Sequence, residues 1–378
     1  MREEITKAKK IIFKFGTNIL RNDDGEISLS RIYSFIEAIS KLHKDGKEVI
    51  IVTSGAVGLG AKKLGIDIAD SVQLKQACAA IGQTQLMSIY ESGFDKYGIK
   101  VAQILLTEDD FSQRAKYLSL RNTLNQLLDM KVVPIINQND TVTTTALEYY
   151  KDVVEVCFSD NDKLSALLAS EMRADLLVIL SDIDGLYTDN PKENEDAEFI
   201  PVVEKVTDEI QQMGSGATLG GRGGMKTKLE AAKVVTRAGG SLLIANGKEP
   251  DIIIKVFNEE NVGTIFLPSE TLSGKKHWIA YATNIMGNLT VNDGAKSAMI
   301  EKGSSLLAKG LIKVEYNFKK GDIISISDMQ GNEFARGMIN YDFDECEKLI
   351  GCHSDEFIEK IGYKTYDEII HRDNIVIL

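Results

Sequence analysis

The larger, N-terminal part of the chain alternates between short apolar runs and stretches of helical periodicity. The apolar runs lie at Lys10–Phe15, Glu48–Thr53, Val101–Leu106, Val132–Ile136 and Leu176–Leu180, and each is too short for most helices. Between these runs, apolar residues recur at the spacing of amphipathic helices. Buried strands that alternate with helices predict an α/β fold with an open, mostly parallel sheet and helices on both faces.

The pattern changes beyond about Asp251, where short segments are separated by turns rich in Gly, Asn and Asp. Three of these segments, Ile312–Val314, Ile323–Ile326 and Ile375–Leu378, predict strands of a second, β-rich domain. A chain of 378 residues is also long enough for two domains. We expect residues 1–266 to form the α/β domain, residues 267–283 a linker and residues 284–378 the small β-rich domain.

Polar residues crowd both ends of the predicted helix–strand unit between residues 159 and 191. Asp160, Asn161 and Asp162 stand at the start of the helix, and Ser181 and Asp182 follow the buried strand. Ligands of open α/β sheets bind beyond the carboxyl ends of the strands, so these groups indicate a binding crevice. Helix capping also explains an Asp or Asn at a helix start. These residues alone leave both interpretations open.

One lysine lies inside a predicted buried strand. Lys14 interrupts the apolar run Lys10–Phe15, and a buried ammonium is costly unless it meets an anion. Either Lys14 reaches the crevice at the end of its strand, or the strand lies at an edge of the sheet and the lysine reaches water. The segment Asn137–Asp140 places a further polar loop at the end of another strand.

Two glycine-rich segments precede predicted helices. Ser54–Gly60 follows a strand, and we interpret it as a loop whose backbone N–H groups approach a ligand. Gly214–Gly224 runs into the strong helix former Met225–Lys233, which has lysines near its start. Lysines there oppose the helix dipole unless an anion lies between them, which favours a phosphate site over a surface loop. The P-loop pattern is absent from the sequence.

The charge balance limits the classes of partner. The net charge is −12, and 43% of the residues are hydrophobic. An acidic protein disfavours nucleic acids and anionic membranes as main partners, so any phosphate site must be local. No apolar run approaches the roughly 18 residues of a membrane span, and the N-terminal segment has no apolar signal region. We therefore expect a globular, cytoplasmic protein.

These features together favour the transfer of a phosphoryl group between anions. Such a reaction depends on fixed cations at the transferring oxygens, and Lys14 and Lys228 are the candidates. A carboxylate acceptor with a side-chain pKa of about 4.3 is already ionised at neutral pH and needs no general base. This agrees with the four histidines, none of which falls in the predicted crevice.

Six motifs follow one another along the chain. They are KFGTN at residues 14–18, VTSGAVGLG at 52–60, INQND at 136–140, SDNDKLSALLA at 159–169, LSDIDGLYT at 180–188 and GRGGMKTKLEAA at 221–232. In this order and combination they resemble the glutamate 5-kinases of the amino acid kinase family. The later segments NDGAKSAMIEKGSSLL at 292–307 and FARGMINY at 334–341 resemble a PUA domain. The resemblance therefore spans nearly the whole chain.

The resemblance implies transfer of the γ-phosphoryl group of ATP, with Mg²⁺, to the γ-carboxylate of L-glutamate, the first step of proline biosynthesis. It also implies inhibition by proline and glutamyl phosphate reductase as a downstream partner, and we expect a homo-oligomer. Catalysis is assigned to Lys14, Lys228 and Asp162, with Asp162 holding the two lysines in place. Glutamate binding is assigned to Ser54, Asp140 and Asn161. Nucleotide binding is assigned to Lys14, Ser181, Asp182, Arg222, Gly223, Gly224, Met225, Lys226, Thr227 and Lys228, and no residue is assigned to a metal.

The chain departs from the family pattern in four places, one of which is Tyr316 in the second domain, where Gly is usual. Ser159 stands where Gly usually precedes DND, Arg222 stands where Thr usually precedes GGM, and the loop Thr141–Phe158 is longer than usual. Two alternative functions remain. One is a kinase with another acceptor, because similar kinases phosphorylate acetylglutamate, aspartate or nucleoside monophosphates. The other is an RNA-binding protein, because PUA domains accompany RNA-modifying enzymes. From Ile285 onward, 11 Lys and Arg stand against 16 Asp and Glu, a net charge of −5, which disfavours RNA binding.

Overall fold

The computed structural model describes most of the chain. The described residues are 2–22, 26–66, 71–107, 109–112, 114–142, 161–191, 193–214, 224–269, 276, 279–280 and 285–378. They divide into two compact units: the first contains the described residues up to 269, and the second contains those from 276 onward. No helix in these ranges is both long enough and apolar enough to cross a membrane.

The first unit is built on an eight-stranded sheet and a small hairpin. Its strands are β1 (Lys10–Phe15), β2 (Glu48–Val52), β3 (Lys100–Leu106), β4 (Val132–Gln138), β5 (Leu176–Ser181), β6 (Leu186–Tyr187), β7 (Phe199–Ile200), β8 (Val202–Val203), β9 (Ser241–Asn246) and β10 (Thr264–Phe266). The sheet has the order β3-β4-β2-β1-β5-β9-β10-β8, and β6 pairs with β7 in the hairpin. Neighbouring strands of the sheet are parallel except β9 and β10. The prediction of a mostly parallel sheet is confirmed.

Helices connect and cover these strands. They are α1 (Glu3–Lys7), α2 (Leu29–Lys44), α3 (Ala56–Leu64), α4 (Val72–Asp95), α5 (Asp109–Ser112), α6 (Arg114–Asp129), α7 (Asn161–Glu171), α8 (Asp208–Met213), α9 (Met225–Arg237) and α10 (Ile252–Phe257). Strand β5 is buried at every position, as expected for a strand covered on both faces. In the core, the rings of Phe15 and Phe35 stack with their centroids 5.0 Å apart. The crevice-forming strand ends therefore belong to a well-packed scaffold.

Strand β1 lies in the middle of the sheet, between β2 and β5. Lys14 pairs in register with Val52 on one side and with Ile179 on the other, and only 5% of its surface is exposed. The alternative that places Lys14 on an edge strand is therefore wrong. A buried ammonium at this position requires an anion close by.

The interpretation of Ser54–Gly60 as a loop is wrong beyond its first two residues, because helix α3 begins at Ala56. Gly60 lies inside the helix, where an added Cβ would come within 1.8 Å of the Cys78 carbonyl oxygen in α4. The same Cβ on Gly82 of α4 would come within 1.8 Å of the Ala56 carbonyl oxygen. These two glycines therefore serve the close packing of two helices. Only Gly55, with φ +94°, forms the turn from β2 into α3.

The second unit is a five-stranded sheet with short helices. Its elements are β11 (Gly287–Val291), α11 (Asp293–Lys302), β12 (Leu311–Glu315), β13 (Ile323–Ser327), β14 (Glu333–Met338), α12 (Phe343–Leu349), α13 (Phe357–Ile361) and β15 (Ile375–Ile377). The strand order is β12-β11-β13-β14-β15. The prediction of a β-rich unit is confirmed, although β11 and β14 were missed. Their small and polar residues, such as Asn288 and Arg336, interrupt the apolar pattern.

Candidate active site

One fully buried carboxylate joins two lysines from distant parts of the chain. Asp162 is the second residue of α7 and is 0% exposed. Its Oδ1 lies 2.6 Å from Nζ of Lys14 in β1, and its Oδ2 lies 3.1 Å from Nζ of Lys228 in the first turn of α9. The Thr227 hydroxyl lies 3.2 Å from the same Oδ2. The three residues predicted to form the catalytic group are therefore in direct contact.

The electrostatics of this cluster keep the carboxylate ionised. Burial by itself raises the pKa of Asp162, but the charges and hydrogen bonds of Lys14 and Lys228 outweigh that effect, so the pKa lies below the usual value of an aspartate. The side chain is committed to the two ammonium groups and is not merely a helix cap. Helix capping by Asp160 lies outside the described residues.

A cavity of about 340 Å³ opens beside the two lysines, at the carboxyl ends of β1, β2, β4 and β5. The following predicted site residues line it: Lys14, Ser54, Asp140, Asn161, Ser181, Asp182 and Lys228. Its size is within the usual range of ligand pockets. Residues of all three predicted groups thus line one crevice, whereas Asp162 and the described nucleotide residues Gly224, Met225, Lys226 and Thr227 are not part of its lining.

Amide and hydroxyl groups form the wall near β2 and β4. The Ser54 hydroxyl donates a hydrogen bond to the Phe15 carbonyl oxygen at 2.8 Å. The Asn161 Nδ2 group donates to the Thr53 carbonyl oxygen at 2.8 Å. The Asn161 Oδ1 atom is buried and has no hydrogen-bond partner among the described residues. An unsatisfied buried acceptor at the edge of a cavity is suited to a ligand with N–H groups.

The opposite wall carries Ser181 and Asp182, at the end of β5. Asn18 donates a hydrogen bond to Asp182 Oδ2 at 3.0 Å, and Ser181 donates to Oδ1 at 3.2 Å. Burial raises the pKa of Asp182, but the hydrogen bond from Asn18, together with the others that it accepts, brings the pKa below its usual value. Asp182 is therefore a fixed negative charge at this wall.

The segment predicted to bind the nucleotide is described only in part. Arg222 and Gly223 lie outside the described residues, as do most of the loop Thr141–Phe158 and Ser159. Gly224 is the N-cap of α9, and Met225, Lys226 and Thr227 form its first turn. Lys226 is exposed, whereas Lys228 is 3% exposed and faces Asp162.

Sequence reasoning missed several residues of the crevice. Thr17, Asn18, Arg21 and Asn137 line the cavity. Asn137 donates a hydrogen bond at 2.9 Å to Oε1 of Gln83, a buried residue of α4. Thr17, Asn18 and Asn137 lie within motifs that had been singled out, so proximity in sequence to Lys14 and Asp140 was the available signal. No local pattern indicated Arg21 or Gln83.

Within the described part of the chain, no group of three or more His, Cys, Asp and Glu side chains is arranged to hold a metal ion. Asp162 is bound to its lysines, and the described carboxylates that line the cavity are those of Asp140 and Asp182. Mg²⁺ is commonly bound through one or two carboxylates and the phosphates of a nucleotide. The donor set therefore fits a Mg²⁺ ion that arrives with a nucleotide better than a protein-only metal site.

Comparison with known proteins identifies the families. Residues 9–246 match the amino acid kinase family, and residues 287–361 match the PUA domain. The chain is 44% identical over 372 residues to "Glutamate 5-kinase" of Thermoanaerobacter sp. (strain X514), covering 98% of each chain. It is also 44% identical over 378 residues to "Glutamate 5-kinase" of Geobacter sulfurreducens, covering 99% of each chain. The chain is therefore a kinase of the amino acid kinase family, in its glutamate 5-kinase branch, with a C-terminal PUA domain.

Proposed function

We propose that the protein transfers the γ-phosphoryl group of ATP to the γ-carboxylate of L-glutamate and forms γ-glutamyl phosphate. The observation that carries this proposal is the pair of buried lysines, Lys14 and Lys228, held on one carboxylate beside the cavity. The relatives named glutamate 5-kinase support the choice of glutamate. This reaction is the first step of proline biosynthesis.

The chemistry requires cations rather than a base. The acceptor carboxylate is ionised at neutral pH, and no histidine lines the cavity among the described residues. Negative charge accumulates on the oxygens around the transferring phosphorus atom, where preorganised cations stabilise it most. Lys14 and Lys228 supply these charges, and Asp162 fixes their positions without reaching the cavity wall itself.

The nucleotide is assigned to the wall formed by β5 and α9. Ser181 and Asp182 line that wall, and the first turn of α9 follows the glycine-rich segment. The N-terminus of α9 favours phosphate groups, and Lys226 adds an exposed positive charge in the same turn. Mg²⁺, when bound, neutralises charge on the phosphates, and Asp182 is positioned to contribute one carboxylate ligand to it.

L-glutamate is assigned to the opposite wall. The Oδ1 atom of Asn161, which has no partner among the described residues, and the carboxylate of Asp140 are suited to the α-ammonium group of an amino acid. The Ser54 hydroxyl belongs to the same wall and lines the cavity. L-proline carries the same ammonium and α-carboxylate groups, so we propose that it competes with glutamate at this wall and inhibits the enzyme.

The remaining assignments concern the organisation of the protein. We propose domain limits at residues 1–266 and 284–378, which agree with the separate hydrophobic cores of the two units. We further propose a cytoplasmic homo-oligomer that passes its labile product to glutamyl phosphate reductase. An acyl phosphate hydrolyses readily, so a reductase that consumes it nearby is chemically sensible.

An acceptor screen tests the proposed reaction. Purified protein is incubated with Mg²⁺-ATP, hydroxylamine and one acceptor, because hydroxylamine converts an acyl phosphate into a coloured hydroxamate. L-glutamate should give far more hydroxamate than L-aspartate or acetylglutamate, and Lys228→Ala should give almost none. Equal turnover of acetylglutamate by the wild-type protein would refute the assignment of glutamate as the acceptor.

A further inference from the structure

Arg21 places a guanidinium group in the crevice. Its terminal Nη2 lies directly over Gly58 of α3, where an added Cβ would come within 1.1 Å of it. The backbone of Arg21 is fixed by a β-bridge to Ile27 and by a hydrogen bond of 3.1 Å from the Arg31 side chain to its carbonyl oxygen. The scaffold therefore directs this side chain towards the cavity, which it helps to line.

The guanidinium group of Arg21 forms no hydrogen bond or ion pair with any other described residue. Lys14 and Lys228, the other cations among the described lining residues, are both bound to Asp162. The nearby carboxylate of Glu26 forms an ion pair with Lys62. A partly desolvated cation with unsatisfied donors favours the arrival of an anion. Its planar fork of N–H groups matches the two oxygens of a carboxylate.

The position of Arg21 indicates which anion it meets. Arg21 also lines a smaller neighbouring cavity of about 20 Å³, walled by Leu20, Ile27, Leu59 and Leu86. Thr17, Ser54, Gly55 and Gly58 line both cavities, whereas Lys14, Lys228, Ser181 and Asp182 line only the larger one. Among these described residues, Arg21 thus lies at the α3 end of the crevice, and Lys14 and Lys228 lie at the end proposed for phosphoryl transfer.

We propose that Arg21 binds the α-carboxylate of the acceptor amino acid. This inference rests on the proposed function, in which the reacting side-chain carboxylate lies beside Lys14 and Lys228. The other end of the substrate then extends past Ser54 to the α3 end, where its α-carboxylate meets the guanidinium group. Its ammonium group faces Asp140 and Asn161. Arg21 is thus a substrate-binding residue that selects α-amino acids over simple carboxylates.

The test separates substrate binding from chemistry. Hydrogen bonds to charged groups are strong enough that Arg21→Ala should raise KM for L-glutamate about 10- to 100-fold, with kcat within about threefold. L-norvaline, which keeps the α-carboxylate and lacks the reacting one, should lose potency as a competitive inhibitor by a similar factor. The inhibition constant of 4-aminobutanoate, which lacks the α-carboxylate, should stay within about twofold.

Three further variants sharpen the result. Arg21→Lys keeps the charge but loses the planar fork, so its KM should lie between those of the wild type and Arg21→Ala. Gly58→Ala displaces the guanidinium group without removing it and should also raise KM. Lys63→Ala removes an exposed cation of α3 that does not line the described cavity, so both KM and kcat should stay near wild type.

The outcomes distinguish this proposal from the proposed function. Wild-type protein that forms no glutamyl hydroxamate would refute the proposed function itself. Normal wild-type turnover combined with an unchanged KM in Arg21→Ala would refute only the role of Arg21. A lower kcat with an unchanged KM would also overturn the proposal, because it would place the guanidinium group on the transferring phosphoryl group.

Discussion

Replacing Asp162 by Asn should destabilise the first unit strongly, because Asp162 is the shared counter-ion of two buried lysines. The Asp162 side chain is 0% exposed, and those of Lys14 and Lys228 are 6% and 4% exposed. Breaking a buried ion pair by removing one partner typically costs about 3–5 kcal/mol. Asn keeps the shape and one acceptor oxygen, so we expect the free energy of unfolding to fall by an amount near the lower end of this range, about 3 kcal/mol.

Urea unfolding measures this loss. With an m value of about 3 kcal/mol per molar urea, a loss of about 3 kcal/mol lowers the midpoint of the first unit's transition by about 1 M. Asp95→Asn is the matched control, because it breaks an exposed ion pair of 2.8 Å between Asp95 and Lys100. The Asp95 side chain is 64% exposed and that of Lys100 is 73% exposed. Surface pairs of this kind contribute little, so the control midpoint should hardly move. Equal midpoints for the two variants would refute the account of Asp162 as an essential counter-ion.

The same carboxylate predicts a dependence on pH. The pKa of folded Asp162 lies below its unfolded value of about 3.9, so its stabilising contribution is fully present above that value and is lost as the pH falls towards the folded pKa. The difference in unfolding free energy between wild type and Asp162→Asn should therefore be constant from pH 5 to pH 7 and shrink below about pH 4. A difference that stays constant down to pH 3 would contradict a charged Asp162 in the folded state.

Four further outcomes follow from the structure. Lys228→Ala should lower kcat for glutamate by at least about a hundredfold, and a near-normal kcat would move the catalytic charge to Lys226. Gly60→Ala should lower the unfolding free energy by about 1–3 kcal/mol in urea titrations, since its Cβ would clash with the α4 backbone, and an unchanged midpoint would contradict that packing. A chain that lacks Ile285–Leu378 should still unfold cooperatively by circular dichroism, because the first unit has its own core. Asp140→Ala should weaken glutamate and proline together by about 1.5–3 kcal/mol in KM and inhibition constant, whereas loss of only one would place proline elsewhere.

The sheet was predictable because its central strands obey a simple physical rule. Parallel strands covered on both faces are apolar at nearly every position, as in β2 and β5, and this signal is visible in the sequence. The polar groups at their carboxyl ends followed from the same rule. Strand β9 was missed although it is apolar and buried like β2 and β5. Strands β8 and β10 were missed because two or three residues carry no periodicity. Their position depends on pairing with each other and, for β10, with β9.

The roles of glycines could not be read locally. Gly55 and Gly60 belong to one glycine-rich segment, yet the first forms a turn with φ +94° and the second touches the backbone of α4. The difference is set by Cys78 and Gly82, which lie well beyond this segment in sequence. A composition that suggests a phosphate loop thus also fits a close helix–helix contact, and the neighbouring helix decides between the two.

The two lysines proposed to act in catalysis show a further limit of sequence reasoning. The sequence indicates that Lys14 needs an anion, because an ammonium inside an apolar strand is otherwise too costly, but it does not say which anion. The structure supplies Asp162, and it also supplies Lys228, which lies 66 positions from Asp162 along the chain. Among the described residues, one carboxylate holds both ammonium groups, and the two lysines line the cavity. In the proposed reaction their positive charges would face the negative charge of the phosphoryl group in transfer.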